Sequence, residues 1–237
     1  MAVNYNPKVV TSGLIFNWDG TNPRSWNGVS DTHYDIISGG AGTKQGVGTI
    51  TRVSNRVLFS PSPLLSTNTA IISFPSASIN VPTETEGSWS WWYFYTTSTS
   101  IDAPNFGKET SSNWDGQNGF VFGTGWGTDG LRMGIGGVTY DVFNSGTTYK
   151  FNTWEHYTVT YKQNSAVKVY LNGNLFYTVS NPTQRIGFNN NNLIIGGTNI
   201  RGGNWRGNMD IVQMWNRELS SLEAQQNFNA LRGRYGV

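Results

Sequence analysis

Apolar and polar residues alternate along most of this chain with the two-residue period of half-buried strands. The clearest stretch runs from Trp154 to Val179, WEHYTVTYKQNSAVKVYLNGNLFYTV. Its two alternating runs flank Asn172-Gly173, and a type I′ hairpin turn needs positive φ at both central residues, which Asn and Gly tolerate. The register this predicts sets Leu171 against Asn174, Tyr170 against Leu175 and Val169 against Phe176. Further strands are predicted at Leu14–Trp18, Thr69–Val81 with a break at Pro75, Ser88–Thr96, Gly119–Phe122, Leu131–Ile135, Val138–Phe143, Asn192–Gly196 and Met209–Trp215. In SWSWWYFYT, Trp89 and Trp91 share one face and Trp92 takes the other, so one set is core.

One segment breaks the period. Ser220-Ser221-Leu222-Glu223 is a capping box with Ser220 as N-cap. Ala224, Phe228 and Leu231 follow at helical spacing, and Gly233 marks the expected stop. Between these elements lie Gly- and Asn-rich loops at 38–48, 105–119, 123–130, 187–192 and 202–208. The pattern is all-β: short strands that read as a sandwich or a barrel, with one short C-terminal helix. Residues 1–12 are expected to form an N-terminal arm, and 13–237 one domain.

Composition narrows the function. The 237 residues hold no cysteine, so disulfides and thiolate metal sites are out. Charged residues make up 13%, the formal net charge is +2, and no basic cluster of the kind nucleic acid demands is present. The first residues lack the charged and apolar regions of a secretory leader, and no apolar run reaches membrane-spanning length. The expected surface is neutral and polar. The chain is also rich in aromatic residues, with 10 Trp, 11 Tyr and 12 Phe, and that combination suits a β-sandwich and would also suit carbohydrate contact.

Catalysis finds little support. Retaining glycosidases need two carboxylates about 5–5.5 Å apart. The close acidic pairs are Glu84/Glu86, in a turn, and Asp31/Asp35, in a loop. Of the two histidines, His156 reads as a packed strand residue and His33 as a loop residue. The chain is therefore expected not to be an enzyme. Loop aromatics are the carbohydrate candidates: Trp26, Trp114 with Asp115, Trp126, and Trp205 with Asn204 and Arg206. Each tryptophan either stacks on a sugar or packs beneath its own loop.

The order of segments resembles the laminin-G-like domains of the concanavalin A-like lectin/glucanase fold. The residues that carry the likeness are Trp154-x-His156-Tyr157-x-Val159-Thr160-Tyr161, Val169-Tyr170-Leu171-Asn172-Gly173, Leu193–Gly197, Gly207–Val212, Trp215–Ser220 and Asn227–Gly236. The opening, Gly13–Gly20 with Asn22-Pro23 and Ser25, is similar to the version in tailed-phage structural proteins. The resemblance implies an all-β, antiparallel two-sheet jelly-roll sandwich. It also implies a structural Ca²⁺ where the first and last strands meet, with Asp210 as ligand; Asp19, in the tight turn after the first strand, is the second candidate, and turn capping or hydrogen bonding to backbone explains both more readily than a metal. It further implies a virion structural protein, a decoration or spike protein on the capsid surface. Its partners would be the major capsid protein, host or environmental glycans, and further copies of itself, with neither nucleic acid nor membrane. A stand-alone lectin module is the alternative, and a glycoside hydrolase the third reading.

Overall fold

The computed structural model describes residues 7–53, 56–60, 70–95, 103–108, 116–124, 130–142, 150, 152–187, 190–197 and 207–237, with backbone alone at 103–105, 124 and 141. Among the described residues the strands are β1 (Leu14–Asp19), β2 (Thr32–Tyr34), β3 (Ala41–Gln45), β4 (Thr49–Val53), β5 (Arg56–Ser60), β6 (Ile71–Phe74), β7 (Glu86–Tyr95) and β8 (Ala103–Lys108). They continue as β9 (Phe120–Thr124), β10 (Leu131–Ile135), β11 (Val138–Asp141), β12 (Trp154–Lys162), β13 (Ala166–Leu171), β14 (Asn174–Ser180), β15 (Leu193–Ile195) and β16 (Gly207–Trp215). Helix α1 spans Ser221–Tyr235.

Two antiparallel eight-stranded sheets face each other, as a jelly roll requires. One runs β14-β13-β12-β7-β16-β5-β4, with β1 also on β16; the other runs β11-β10-β9-β8-β15-β6-β3-β2. Strand β7 holds the centre of the first sheet. Its inward residues Trp89, Trp91 and Tyr93 are fully buried. Trp89 meets Phe120 at 5.0 Å, and Trp91 meets Phe106 at 5.1 Å, across the sandwich. The alternate residue Trp92 faces outward and is buried as well, because α1 lies over it: Tyr235 stacks on it at 4.2 Å. Both faces of the aromatic run are therefore core, each in a different cluster.

The Asn-Gly turn forms as its residues require, with φ +50° at Asn172 and +78° at Gly173. Leu171 pairs with Asn174 and Tyr170 with Leu175. The expected Val169–Phe176 pair does not form: a bulge inserts one residue, and Val169 pairs with Tyr177. Helix α1 starts on the expected capping box, a device worth about 1 kcal/mol. It runs past Gly233 to Tyr235 and ends on Gly236, in the left-handed conformation. Gly233 is tolerated inside the last turn, and the Arg234 and Tyr235 contacts described below extend the helix past it.

Two regions expected to be loops contain strands. Residues 38–48 hold β3, and 105–119 include most of β8. The N-terminal segment from Lys8 is docked rather than free. The Val10 amide donates to Asn227 Oδ1 at 2.8 Å, Trp215 Nε1 donates to the Val10 carbonyl at 2.9 Å, and Gln226 Nε2 donates to the Lys8 carbonyl at 2.7 Å. Of the expected arm, residues 1–6 lie outside the described residues.

Both histidines are interior. His156 lies against Trp92 with ring centroids 4.8 Å apart, its Nε2 2.8 Å from Ser90 Oγ; His33 stacks on Trp26 at 4.9 Å. Burial lowers the His156 pKa from 6.5 to about 3 and the His33 pKa from 6.5 to about 4. The folded state keeps both neutral while the unfolded chain takes up protons, so their contribution is complete above about pH 7 and is lost as pH falls through 6.5 toward 4. Unfolding free energy in urea should decline over that window, and His156→Phe should make the decline shallower by about 1.4 kcal/mol per pH unit. The hairpin supplies a second check. A Cβ on Gly173 would sit 3.2 Å from Gln225 Cα and from Phe228 Cβ. Gly173→Val should cost more than about 1 kcal/mol, because a β-branched residue resists positive φ; a smaller loss in a urea melt would mean the turn relaxes into another type.

Candidate functional site

Strand β1 pairs with β16, which brings Asp19 opposite Ile211, one residue from Asp210. The two expected metal ligands thus meet at one junction. Asp19 Oδ1 also accepts from the Thr21 amide and hydroxyl, both at 3.1 Å, which closes the turn after β1. Asp210 is fully buried. Its Oδ2 accepts from Tyr235 Oη at 2.9 Å, and its Oδ1 has no hydrogen-bond partner. Burial pushes the Asp210 carboxyl up to about 7, against the pull of the nearby Arg234.

Arg234, in the last turn of α1, occupies this junction. Its Nη1 and Nη2 donate to the two oxygens of Asp19 at 2.9 and 2.8 Å, a bidentate fork, and Nη2 lies 3.7 Å from Asp210 Oδ2. A second guanidinium serves the adjoining backbone: Arg52 Nη2, from β4, donates to the carbonyls of Gly20 (2.8 Å) and Trp26. A Ca²⁺ ion needs carboxylate and carbonyl oxygens with free lone pairs and little competing positive charge. Here two carboxylates are matched by two guanidinium groups, so the residues present do not fit a calcium ion. Among the described residues no group of three or more His, Cys, Asp or Glu is placed to hold a metal. Sequence reasoning missed both arginines: Arg234 reads as a cation balancing a helix C-terminus, and Arg52 falls on a strand that the pattern did not reveal.

Trp26 is not a surface platform. It is 3% exposed, its indole N–H donates to the Ser30 carbonyl at 2.7 Å, His33 covers its ring and the Arg52 guanidinium lies 5.4 Å from it. The other candidates, Trp114, Asp115, Trp126, Asn204, Trp205 and Arg206, lie outside the described residues. The strands that flank them are described. Gly207 pairs with both Tyr95 and Phe59, and Trp154 pairs with Phe94, at one end of the first sheet. Thr124 pairs with Ala103 and with Leu131 at the corresponding end of the second sheet. Gly196 abuts Phe59 and the Ala70 carbonyl there. The connections across 61–69, 96–102, 125–129, 143–151 and 198–206 therefore all join strand ends at one end of the sandwich. Trp126 belongs to one of these connections and Asn204, Trp205 and Arg206 to another. Trp114 and Asp115 belong to the connection after Lys108, which leaves from the opposite end.

The acidic pairs serve the scaffold. Glu84 pairs with Arg185 at 2.9 Å and Glu86 with Lys162 at 3.5 Å. Asp35 is buried and accepts from the amides of Asn17, Ile37 and Ser38 and from the Ser38 hydroxyl. Glu155, which the pattern did not single out, points into the sandwich, where Tyr93 Oη donates to it, and burial raises its pKa. Among the described residues no helix is long and apolar enough to cross a membrane.

A family model described as the concanavalin A-like lectin/glucanases superfamily matches residues 66–225. Among solved structures, domain 4 of AbnA, an extracellular GH43 arabinanase from Geobacillus stearothermophilus in complex with arabinotriose, is similar with TM-score 0.62 and 19% identity, over 90% of this chain and 97% of that one. The binding domain of Paraclostridial Mosquitocidal Protein 1 follows with TM-score 0.64 and 22% identity, over 92% of this chain and 52% of that one. Trypanosoma rangeli sialidase in complex with sialic acid has TM-score 0.65 and 13% identity, over 94% of this chain; the chain spans 34% of the sialidase. No curated protein matches in sequence.

If Trp26 is core, Trp26→Ala should cost about 3–5 kcal/mol, as large aromatic deletions in packed interiors do. Urea unfolding measures this, and a loss under about 1 kcal/mol would return Trp26 to the surface candidates.

Proposed function

The chain belongs to the concanavalin A-like lectin/glucanases superfamily, and on that footing we propose that it is a non-catalytic domain that binds glycans. The reading is carried by the gathering of five connections at one end of the sandwich, which brings together the strand ends that flank Trp126 and Trp205. Aromatic faces stack on the apolar faces of pyranose and furanose rings, while Asn side chains and loop backbone exchange hydrogen bonds with hydroxyls. A chain with only 13% charged residues suits a neutral ligand. The arabinotriose on domain 4 of the arabinanase supports the ligand class. The structural duties of Glu84, Glu86 and Asp35 favour binding over hydrolysis.

Glycan-array screening followed by calorimetry tests this. A saccharide should bind, and Trp126→Ala with Trp205→Ala should weaken it at least about tenfold, since each stacked ring contributes on the order of 1 kcal/mol. The melting temperature should hold. An array with no hits sinks the proposal, and release of reducing ends from a bound saccharide would favour the hydrolase instead.

We propose further that the domain is displayed on the surface of a tailed-phage particle, beside the major capsid protein. This rests on the resemblance of residues 13–25. Since the segment from Lys8 to Ser12 is bound within the chain itself, any contact with a shell falls to other surfaces. Quantitative mass spectrometry of purified particles should find tens to hundreds of copies for a shell decoration and a few for a tail or vertex protein. Absence from particles leaves a free lectin.

A further inference from the structure

The junction of β1 and β16 is built like a hard-cation site. Two carboxylates, Asp19 and Asp210, and two main-chain carbonyls, Gly20 and Trp26, surround one turn, and each takes its positive charge from an arginine side chain. We infer that Arg234 and Arg52 act together as a tethered replacement for a divalent cation, so that this domain closes its first and last strands without metal.

Three observations carry this. The first is charge: Asp19 and Asp210 can bring two negative charges, the second fully only above the raised pKa of about 7 of Asp210, and Arg234 and Arg52 supply two positive ones. The second is the mode of binding. Arg234 grips Asp19 with both Nη atoms, and Arg52 Nη2 joins two carbonyls from opposite ends of the 20–26 turn, bridging as a coordinated ion would. The third is an imperfection. Asp210 Oδ1 is buried without a partner, and so is Arg52 Nε. A spherical ion can draw every surrounding oxygen inward, whereas planar guanidiniums with fixed N–H directions leave some lone pairs unmet. Neither arginine hydrogen-bonds to that carboxylate oxygen of Asp210, so the two side chains leave part of the ligand set untaken.

Removing the tethered charge should therefore uncover a cation site. Thermal melts of the full chain are compared in EDTA and in millimolar CaCl2, with Tb³⁺ luminescence sensitised by the neighbouring Trp18 and Tyr235 as an independent readout. Wild type should melt at the same temperature in both and give no Tb³⁺ signal above that of Asp210→Asn. Arg234→Ala should melt lower in EDTA and regain about 5–10 °C at a hundredfold excess of Ca²⁺ over its dissociation constant. Adding Asp210→Asn should abolish both the recovery and the Tb³⁺ signal. Calcium stabilisation of the wild type would overturn the inference. So would an Arg234→Ala protein that is folded by circular dichroism yet indifferent to Ca²⁺ and Tb³⁺. Should Arg234→Ala fail to fold in either condition, Arg234→Gln, which keeps part of the side-chain length without its charge, is titrated in its place and judged by the same two results.

Discussion

The pairing of the first strand with the last closes this molecule, and most of its distinctive features serve that closure. Strand β1 lies on β16, the segment before it is bound through Val10 to Trp215 and Asn227, and the turn after it is held by Arg234 through Asp19. Helix α1 takes part in both contacts. It covers the outer face of the first sheet, where Trp92, His156 and Trp154 would otherwise meet water. The helix buries only a narrow stripe of its own residues, Ala224, Asn227 and Tyr235. Directed polar contacts at both of its ends therefore fix its position as much as apolar area does, consistent with the greater strength of charge-assisted, bidentate pairs.

Helix α1 and the N-terminal segment both lie on the outer face of the first sheet, and five connections join strand ends at one end of the sandwich. A rigid frame bearing variable loops is a common division of labour in binding domains. Ser, Thr and Gly predominate in those connections, which suits the ligands proposed above, recognised by hydrogen bonds and ring faces rather than by charge.

How far the sequence revealed this depended on the range of each signal. The hairpin and the helix start were legible because their determinants are local: Asn172-Gly173 admits one turn family, and Ser220 with Glu223 satisfies the first amides of α1. Strands β3, β4 and β8 were obscured. Thr49–Val53 is an edge strand with three of its five residues exposed and none buried, and β8 contains Pro104 and Gly107, which usually argue against a strand. Gly107 is required there because a Cβ would lie 2.9 Å from the Phe120 carbonyl. The arginines were out of reach for a different reason. Arg234 and Asp19 are 215 residues apart, and Arg234, with Arg232 in the last helical turn, has a sufficient local explanation there. Trp26 misled because tryptophan in a Gly- and Asn-rich segment looks available, and only the tertiary position of His33 shows what covers its face.

The β1–β16 pairing has a consequence for the order of folding. Contacts such as Val10 to Asn227 span 217 residues, so the loop they close is almost the whole chain. During synthesis β1 must wait beside an incomplete sheet until β16 arrives, with Phe16 and Trp18, both destined for the core, unsheltered meanwhile. Topologies of this kind are slow to fold and open to intermolecular pairing while they wait. Residues that keep β1 soluble in that interval, such as Asn17 and Asp19 within it, are then selected twice: once for the finished junction and once for the time before it exists.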